Sequence, residues 1–265
     1  MGSLLAASLC FCCAELPKAK EVGYIYQPAF AIDEELRGPI RPYQPQAGDM
    51  FMSTDTMRII QWGHKMAGAN APHHSGIILC KDDGSYWTLE AGPHNSLTVK
   101  ALDLGYSLSS YEDRGNKVWV RRRSVPLTAD QCKKLAQFGL NQDGKAFALG
   151  RMLGQMTPLR TRNQLASNPS AGSPNGDRNS YFCAELVTEC CVAAGLLDVN
   201  RARPCCTYPC DLFFGKSSNQ YVDATLDFNK FWDPPTRWTK QLPTAVQQGV
   251  VVSQPARVSH PLMNK

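Results

Sequence analysis

Three side chains far apart in the chain are of the types that make and use a sulfur nucleophile: Cys183, His74 and Glu90. Cys183 stands in Asn-Ser-Tyr-Phe-Cys-Ala-Glu-Leu-Val, residues 179–187. Apolar positions at Leu186, Val187, Cys190, Cys191 and Ala194 predict an amphipathic helix that opens at Tyr181 and stops at Gly195. A cysteine in a helix's first turn meets unpaired N–H groups and the positive end of the dipole. Both favour thiolate over thiol. Free cysteine is also among the most buried residue types, so position alone does not make a nucleophile. A base is needed, and a group that orients the base.

His74 is the candidate base. It opens the run His-Ser-Gly-Ile-Ile-Leu, which reads as a strand, and the small pair Ser75-Gly76 would let another backbone approach closely. A second apolar run, Tyr86 to Ala91, follows Lys81-Asp82-Asp83-Gly84, a hairpin turn. With the hairpin symmetric about Asp82, Glu90 is expected directly opposite His74 on the same face, with Cβ atoms about 5 Å apart. A carboxylate there can hold the imidazole tautomer and stabilise its charged form. A one-residue slip would turn Glu90 to the other face. His94 is then the substitute orienter, and His73 competes with His74 as base.

The elements around these residues are those of an α+β domain. Gly48 to Met52 predicts a short strand entered by a turn, and Thr56 to Met66 a helix. Val118 to Arg122 reads as a strand whose Arg121-Arg122-Arg123 end is a solvated face. Leu127 to Phe138 reads as a helix, with Thr128 as N-cap and Gln131 at the capping-box position. Residues 15–47 are proline-bearing and read as an extended lead-in. Residues 160–180 form a polar loop of about twenty residues, long enough to be functional or disordered. Phe228, Phe231, Trp232 and Trp238 suggest a cover on the core, followed by a loose tail. The expected division is an N-terminal segment 1–20, a domain 21–240 with core motifs at 45–215, and a tail 241–265.

Composition narrows the class. The chain has 265 residues, 43% hydrophobic and 19% charged, with net charge +5, which suits a globular domain with a real core. The basic residues are scattered, so no nucleic-acid partner is expected. Eleven cysteines in a long chain argue against a stapled secreted mini-fold. Cys205, Cys206 and Cys210 lack paired Cys-x-x-Cys spacing. No Gly-rich phosphate loop is present either, so neither a metal nor a cofactor is expected.

The first fourteen residues, MGSLLAASLCFCCA, differ from the rest. Myristate on Gly2 with palmitate on Cys10, Cys12 or Cys13 would give a stable peripheral membrane anchor. Ala6 departs from the Ser or Thr that myristoylation prefers. A signal peptide is the alternative, although no Lys or Arg precedes the apolar run. A packed or frayed terminus is the third reading. The expected location is cytoplasmic, membrane-anchored if the segment is lipidated, or secreted if it is a signal.

The order GDMFM, HHSGIIL, WTLEAG, YFCAELV resembles the circularly permuted branch of the NlpC-type papain-like cysteine hydrolases. That branch includes the YaeF/YiiX-like amidases, a poxvirus relative and the lecithin:retinol acyltransferase group. The resemblance covers residues 45–215 and includes Pro209-Cys210-Asp211-Leu212. It implies a permuted papain-like fold in which a small antiparallel sheet packs against the helix that carries the nucleophile. It implies Cys183 as nucleophile, His74 as base and Glu90 as the acidic third member. The acyltransferase group carries a second His about twelve residues after the first, where this chain has Tyr86. The expected function is cleavage of an amide bond through a Cys-His-Glu triad and a thioester. The alternatives are a lipid acyltransferase or deacylase acting on an ester, and a non-catalytic binding module.

Overall fold

Ten short strands and eight helices make up the computed structural model, which describes residues 20–27, 40–226 and 228–242. The strands are β1 (Tyr24–Tyr26), β2 (Arg41–Pro42), β3 (Met50–Ser53), β4 (His74–Cys80), β5 (Tyr86–Ala91), β6 (Val99–Asp103), β7 (Val118–Arg121), β8 (Ala146–Phe147), β9 (Ser180–Tyr181) and β10 (Thr236–Thr239). The helices are α1 (Arg58–Met66), α2 (Leu104–Asp113), α3 (Ala129–Leu140), α4 (Leu149–Gly154), α5 (Thr161–Gln164), α6 (Cys183–Ala193), α7 (Pro209–Phe214) and α8 (Gln220–Asp223).

Eight strands form one antiparallel sheet in the order β2-β1-β10-β7-β3-β4-β5-β6, so the expectation of a small sheet is corrected. The residues 221–240 that read as a cover supply a strand, β10, between β1 and β7. Part of the lead-in likewise becomes β1 and β2. Strand β4 lies inside the sheet and is covered on both faces, which explains its unbroken apolar run. Ile77 and Leu79 point into one core with Leu135, Leu186 and Val187, while Ile78 points into the other with Phe51, Leu108 and Trp238. The fold is thus mixed α and β, with helices on both faces of the sheet. Among the described residues no helix is long and apolar enough to cross a membrane.

The β4–β5 turn is where the register is decided. Cys80 pairs with Tyr86, Lys81 N–H donates to Ser85 O, and Gly84 takes φ of 81°, a left-handed value that suits glycine. The hairpin is therefore centred on Asp83, one residue later than expected. The centre moves by one, so each partner moves by two. Glu90 pairs with Gly76 rather than with His74, and it stays on the predicted face.

Helix α6 is buried on all sides from Cys183 to Cys191, so it is a central helix and not an amphipathic one. Burial of Leu186 and Val187 contributes on the order of 2 kcal/mol each. The expectation of a solvated Arg121–Arg123 end is also overturned, because Arg121 and Arg123 are buried. Arg121 donates to the carbonyls of Asp233 and Leu212, and the Arg123 guanidinium lies 4.3 Å over the Trp232 ring. These partners are about 90 to 110 residues away in sequence, which hides them from local reading. Asp49 fixes a turn, as expected, by accepting from Tyr43 OH, Gln46 N and Arg123 N. Helix α3 carries the predicted capping box of Thr128 and Gln131.

The segment 160–180 is tied down at both ends. Arg162 pairs with Asp211 and donates to Cys206 O. The backbone N–H groups of Asn175 and Gly176 donate to Glu189 of α6. Gly2, Cys10, Cys12 and Cys13 lie outside the described residues, as does most of the expected tail.

Candidate active site

Cys183 is the first residue of α6, so its sulfur sits where the helix leaves its N–H groups unpaired. Phe182 precedes it in extended conformation, and Glu185 reaches back to accept from Phe182 N at 3.2 Å, which caps the helix. Glu185 also binds Arg151 of α4 and lies 3.3 Å from Arg178. These two cations hold α4 and the long loop over the start of α6.

His74, the first residue of β4, brings its ring to Cys183. Its Nε2 lies 3.0 Å from Glu90 Oε2, and its ring is close enough to Cys183 for each to shift the other's pKa. Nε2 is the ring nitrogen engaged by the carboxylate. The three residues predicted as a group thus converge on one point. They do so across the sheet end, because His74 and Glu90 belong to the α2 face while Cys183 comes from α6 on the other.

Glu90 is fully buried and accepts four hydrogen bonds, two on each oxygen. Thr88 Oγ1 at 2.6 Å and Ser107 Oγ at 2.5 Å donate to Oε1. Tyr111 OH at 2.7 Å shares Oε2 with His74. Burial alone would push this carboxyl up, but the hydrogen bond and charge of His74, with Ser107 and Thr88, bring it below its ordinary value. Thr88, Ser107 and Tyr111 were not singled out in the sequence. Thr88 shares Glu90's strand face two residues away, and Ser107 and Tyr111 are four apart on one helix face.

The electrostatics favour an ion pair. Burial would lower His74, yet its hydrogen bonds to Cys183 and Glu90 and their charges raise it above the ordinary histidine value. Burial would raise Cys183, yet His74 and the hydroxyl and backbone of Ser75 bring the thiol below its ordinary value. Ser75 Oγ is buried without a hydrogen-bond partner. Every other described thiol whose pKa is displaced moves the opposite way, Cys191, Cys205 and Cys206 to about 12, each chiefly by burial. The described cysteines are all free.

The alternative residues stand apart from this chain of contacts. His73 accepts from Asp55 N on Nδ1 at 3.0 Å and meets His64 edge-on at 5.1 Å. His94 takes a left-handed φ of 52°, places Nε2 2.8 Å from Ser110 Oγ and packs its ring 4.4 Å from that of Tyr111. It supports the neighbour of Glu90 rather than the His74 ring. Tyr86 lies at the turn end of the hairpin, six strand positions from His74 or roughly 20 Å. The identity of residue 86 therefore says nothing about the orienter.

Comparison with known proteins adds little. No family model matches the chain. No curated protein matches it either. Among solved structures it is similar to the metalloprotein yiiX from Escherichia coli O157:H7 (DUF1105), at 17% identity and a TM-score of 0.43, over 76% of this chain and all of that one. A likeness at that level does not bear on activity. Among the described residues no group of three or more His, Cys, Asp or Glu is arranged to hold a metal ion.

Proposed function

We propose that this chain is a thiol-dependent hydrolase that cleaves an amide bond through Cys183, His74 and Glu90. The observation that carries the reading is the pairing of His74 Nε2 with a buried, four-fold hydrogen-bonded Glu90, beside a Cys183 thiol that His74 draws below its ordinary value. Cys183, alone among the described thiols that are displaced, is shifted toward thiolate.

The chemistry follows from that arrangement. The Cys183 thiolate attacks the carbonyl carbon and forms a C–S bond, while the carbonyl π electrons move to oxygen. N–H groups at the start of α6, that of Cys183 included, stabilise the oxyanion. The His74 imidazolium gives its proton to the leaving amine as the C–N bond breaks, which leaves a thioester. Neutral His74 then takes a proton from water, the hydroxide attacks the thioester, and the thiolate departs. Glu90 keeps Nε2–H directed at itself, and it compensates the imidazolium charge.

A second reading, acyl transfer from a lipid ester, uses the same steps with a hydroxyl or amine in place of water. The exposed apolar side chains of α1, a helix whose His64 meets His73, favour it. A non-catalytic module gives no reason to shift one thiol downward among so many shifted up.

The test is intact-mass analysis after brief incubation with activated acyl esters, acyl amides and phospholipids. One acyl group on Cys183, absent in Cys183→Ala and slow to form in His74→Ala, is the expected result. The amide and lipid arms separate the two readings. No adduct with any of them removes the proposal.

A further inference from the structure

The outer face of α1 belongs to a different problem. Its sequence, Arg-Ile-Ile-Gln-Trp-Gly-His-Lys-Met, holds no acidic residue. Gly63 is buried against the Met156 side chain, and Gln61 Nε2 donates to Asp55 O, so the inner face is fixed on the domain. The outer face carries Ile59, Trp62 and Met66 at i, i+3 and i+7, exposed by 66%, 59% and 48%. Arg58 and Lys65 are exposed beside them on the same side of the helix. Soluble helices put such apolar residues inward. Here the inward side is already occupied and the apolar side looks out.

The neighbouring segment repeats the pattern. Leu153 of α4 is half exposed and Leu159, just beyond it, is 81% exposed. Arg160 Nη1 donates to Ala67 O at 2.7 Å, which fastens this segment to the C-terminal end of α1. Exposed large apolar side chains on two elements bolted together are of the kind that marks an interaction surface.

We propose that the outer face of α1, with Leu153 and Leu159, docks on an anionic lipid surface. An interfacial helix has aromatic and aliphatic side chains on one face with cations at its edge, and Trp is the side chain best suited to the headgroup boundary. Arg58 and Lys65 complement anionic headgroups and would repel a basic partner. His64 on the inner side of the same helix meets His73, the neighbour of His74, so α1 rests against the start of β4. The docking does not depend on the thiol chemistry, and it is separate from any lipid on Gly2 or the N-terminal cysteines.

The experiment uses the full chain made without lipid modification. It is sedimented with phosphatidylcholine vesicles, with and without phosphatidylserine. Binding that rises with phosphatidylserine is expected. Two cations near such a surface are each worth about a factor of five, so Arg58→Glu with Lys65→Glu should lower the partition coefficient at least roughly 25-fold. Ile59→Ser with Trp62→Ser should lower it with either vesicle. In the unmutated chain, brominated acyl chains should quench a tryptophan emission that Trp62→Phe removes, a readout that does not depend on the folding of the charge variants. Absence of sedimentation or of quenching overturns the proposal. So does equal binding by all variants, which assigns the attachment to residues 1–14. A dimer that Trp62→Ser dissolves, with no response to vesicles, assigns the face to a second copy and also overturns it.

Discussion

Glu90 is paired in register with Gly76, yet its Oε2 lies 3.0 Å from Nε2 of His74, two residues further along the neighbouring strand. The carboxylate crosses the diagonal of the ladder, and it can do so because the residue beneath it has no side chain. A Cβ at position 76 would stand 3.0 Å from Glu90 Cγ, 2.9 Å from Leu89 O and 2.3 Å from Phe51 Cε1. The glycine of His-Ser-Gly is therefore a passage for the carboxylate of the following strand.

Gly76→Ala should accordingly do two things. Overpacking against Phe51 and the Leu89 carbonyl should destabilise the fold by about 1–3 kcal/mol, read as a lower denaturation midpoint. Displacement of Glu90 should also slow alkylation of Cys183 near neutral pH. Loss of stability with unchanged thiol reactivity would show that Glu90 does not need the diagonal path.

Glu90→Gln keeps the shape and removes the charge. Turnover should fall by roughly 10²–10⁴-fold, with substrate affinity changed far less, because imidazolium loses its compensating carboxylate. Steady-state kinetics on whichever acyl substrate loads Cys183 measures this. A drop smaller than about threefold would reduce Glu90 to a packing residue.

Tyr111 positions the carboxylate rather than reacting. Tyr111→Phe removes one of the two donors on Oε2 and should cost about 1 kcal/mol, or about fivefold in turnover. The pH profile should shift with it, since Glu90 then holds the His74 charge less well. His73→Ala should leave turnover within about twofold, because His73 Nδ1 is already taken by Asp55 N. A large loss in His73→Ala would exchange the roles of the two histidines.

Asp49 offers a test of the scaffold independent of chemistry. It is fully buried with three donors around it; burial raises it to about 7, against the pull of Arg123 N, Tyr43 OH and Gln46 N. Asp49→Ala strands those donors and should cost about 2–4 kcal/mol in chemical denaturation. A cost below about 1 kcal/mol would mean that the turn is held by its backbone alone.

Much of the site's layout could be read in the sequence because it depends on local periodicity. The alternation of β4 and β5 put His74 and Glu90 on one face, and the turn centre moved by a whole residue, a register shift of two that preserves parity. The apolar spacing after Tyr181 located the helix, but it opens at Cys183 and not at Tyr181, because Ser180 and Tyr181 pair with β8 as a strand. What could not be read depends on contacts distant in sequence. The donors Ser107 and Tyr111 come from α2, 17 and 21 residues after Glu90, on a helix that shows no strong apolar stripe. The burial of Arg121 rests on carbonyls 91 and 112 residues away. The full burial of α6 needs the sheet, α3 and α7 to surround it, and no property of residues 183–193 shows that.

The ionisation state of the pair fixes its pH behaviour. The His74 pKa is raised on folding, so its contribution to stability is complete below the ordinary histidine value and is lost as pH rises through the raised one. The Cys183 pKa is lowered, so its contribution is complete above the ordinary thiol value and is lost as pH falls through the lowered one. Between the two folded-state values the thiolate and imidazolium coexist, and turnover should be bell-shaped with its limbs there.

The most direct measurement is the rate of Cys183 alkylation by iodoacetamide as a function of pH, followed at that residue by peptide mass spectrometry. An ordinary thiol reacts about tenfold faster for each pH unit up to about 8.5. For Cys183 a rate that is already high and nearly flat across neutral pH is expected, reverting to the ordinary climb in His74→Ala. A Cys183 that climbs about tenfold per unit in the unmutated protein, or is indifferent to the loss of His74, would contradict a thiolate made and held by His74 and Glu90.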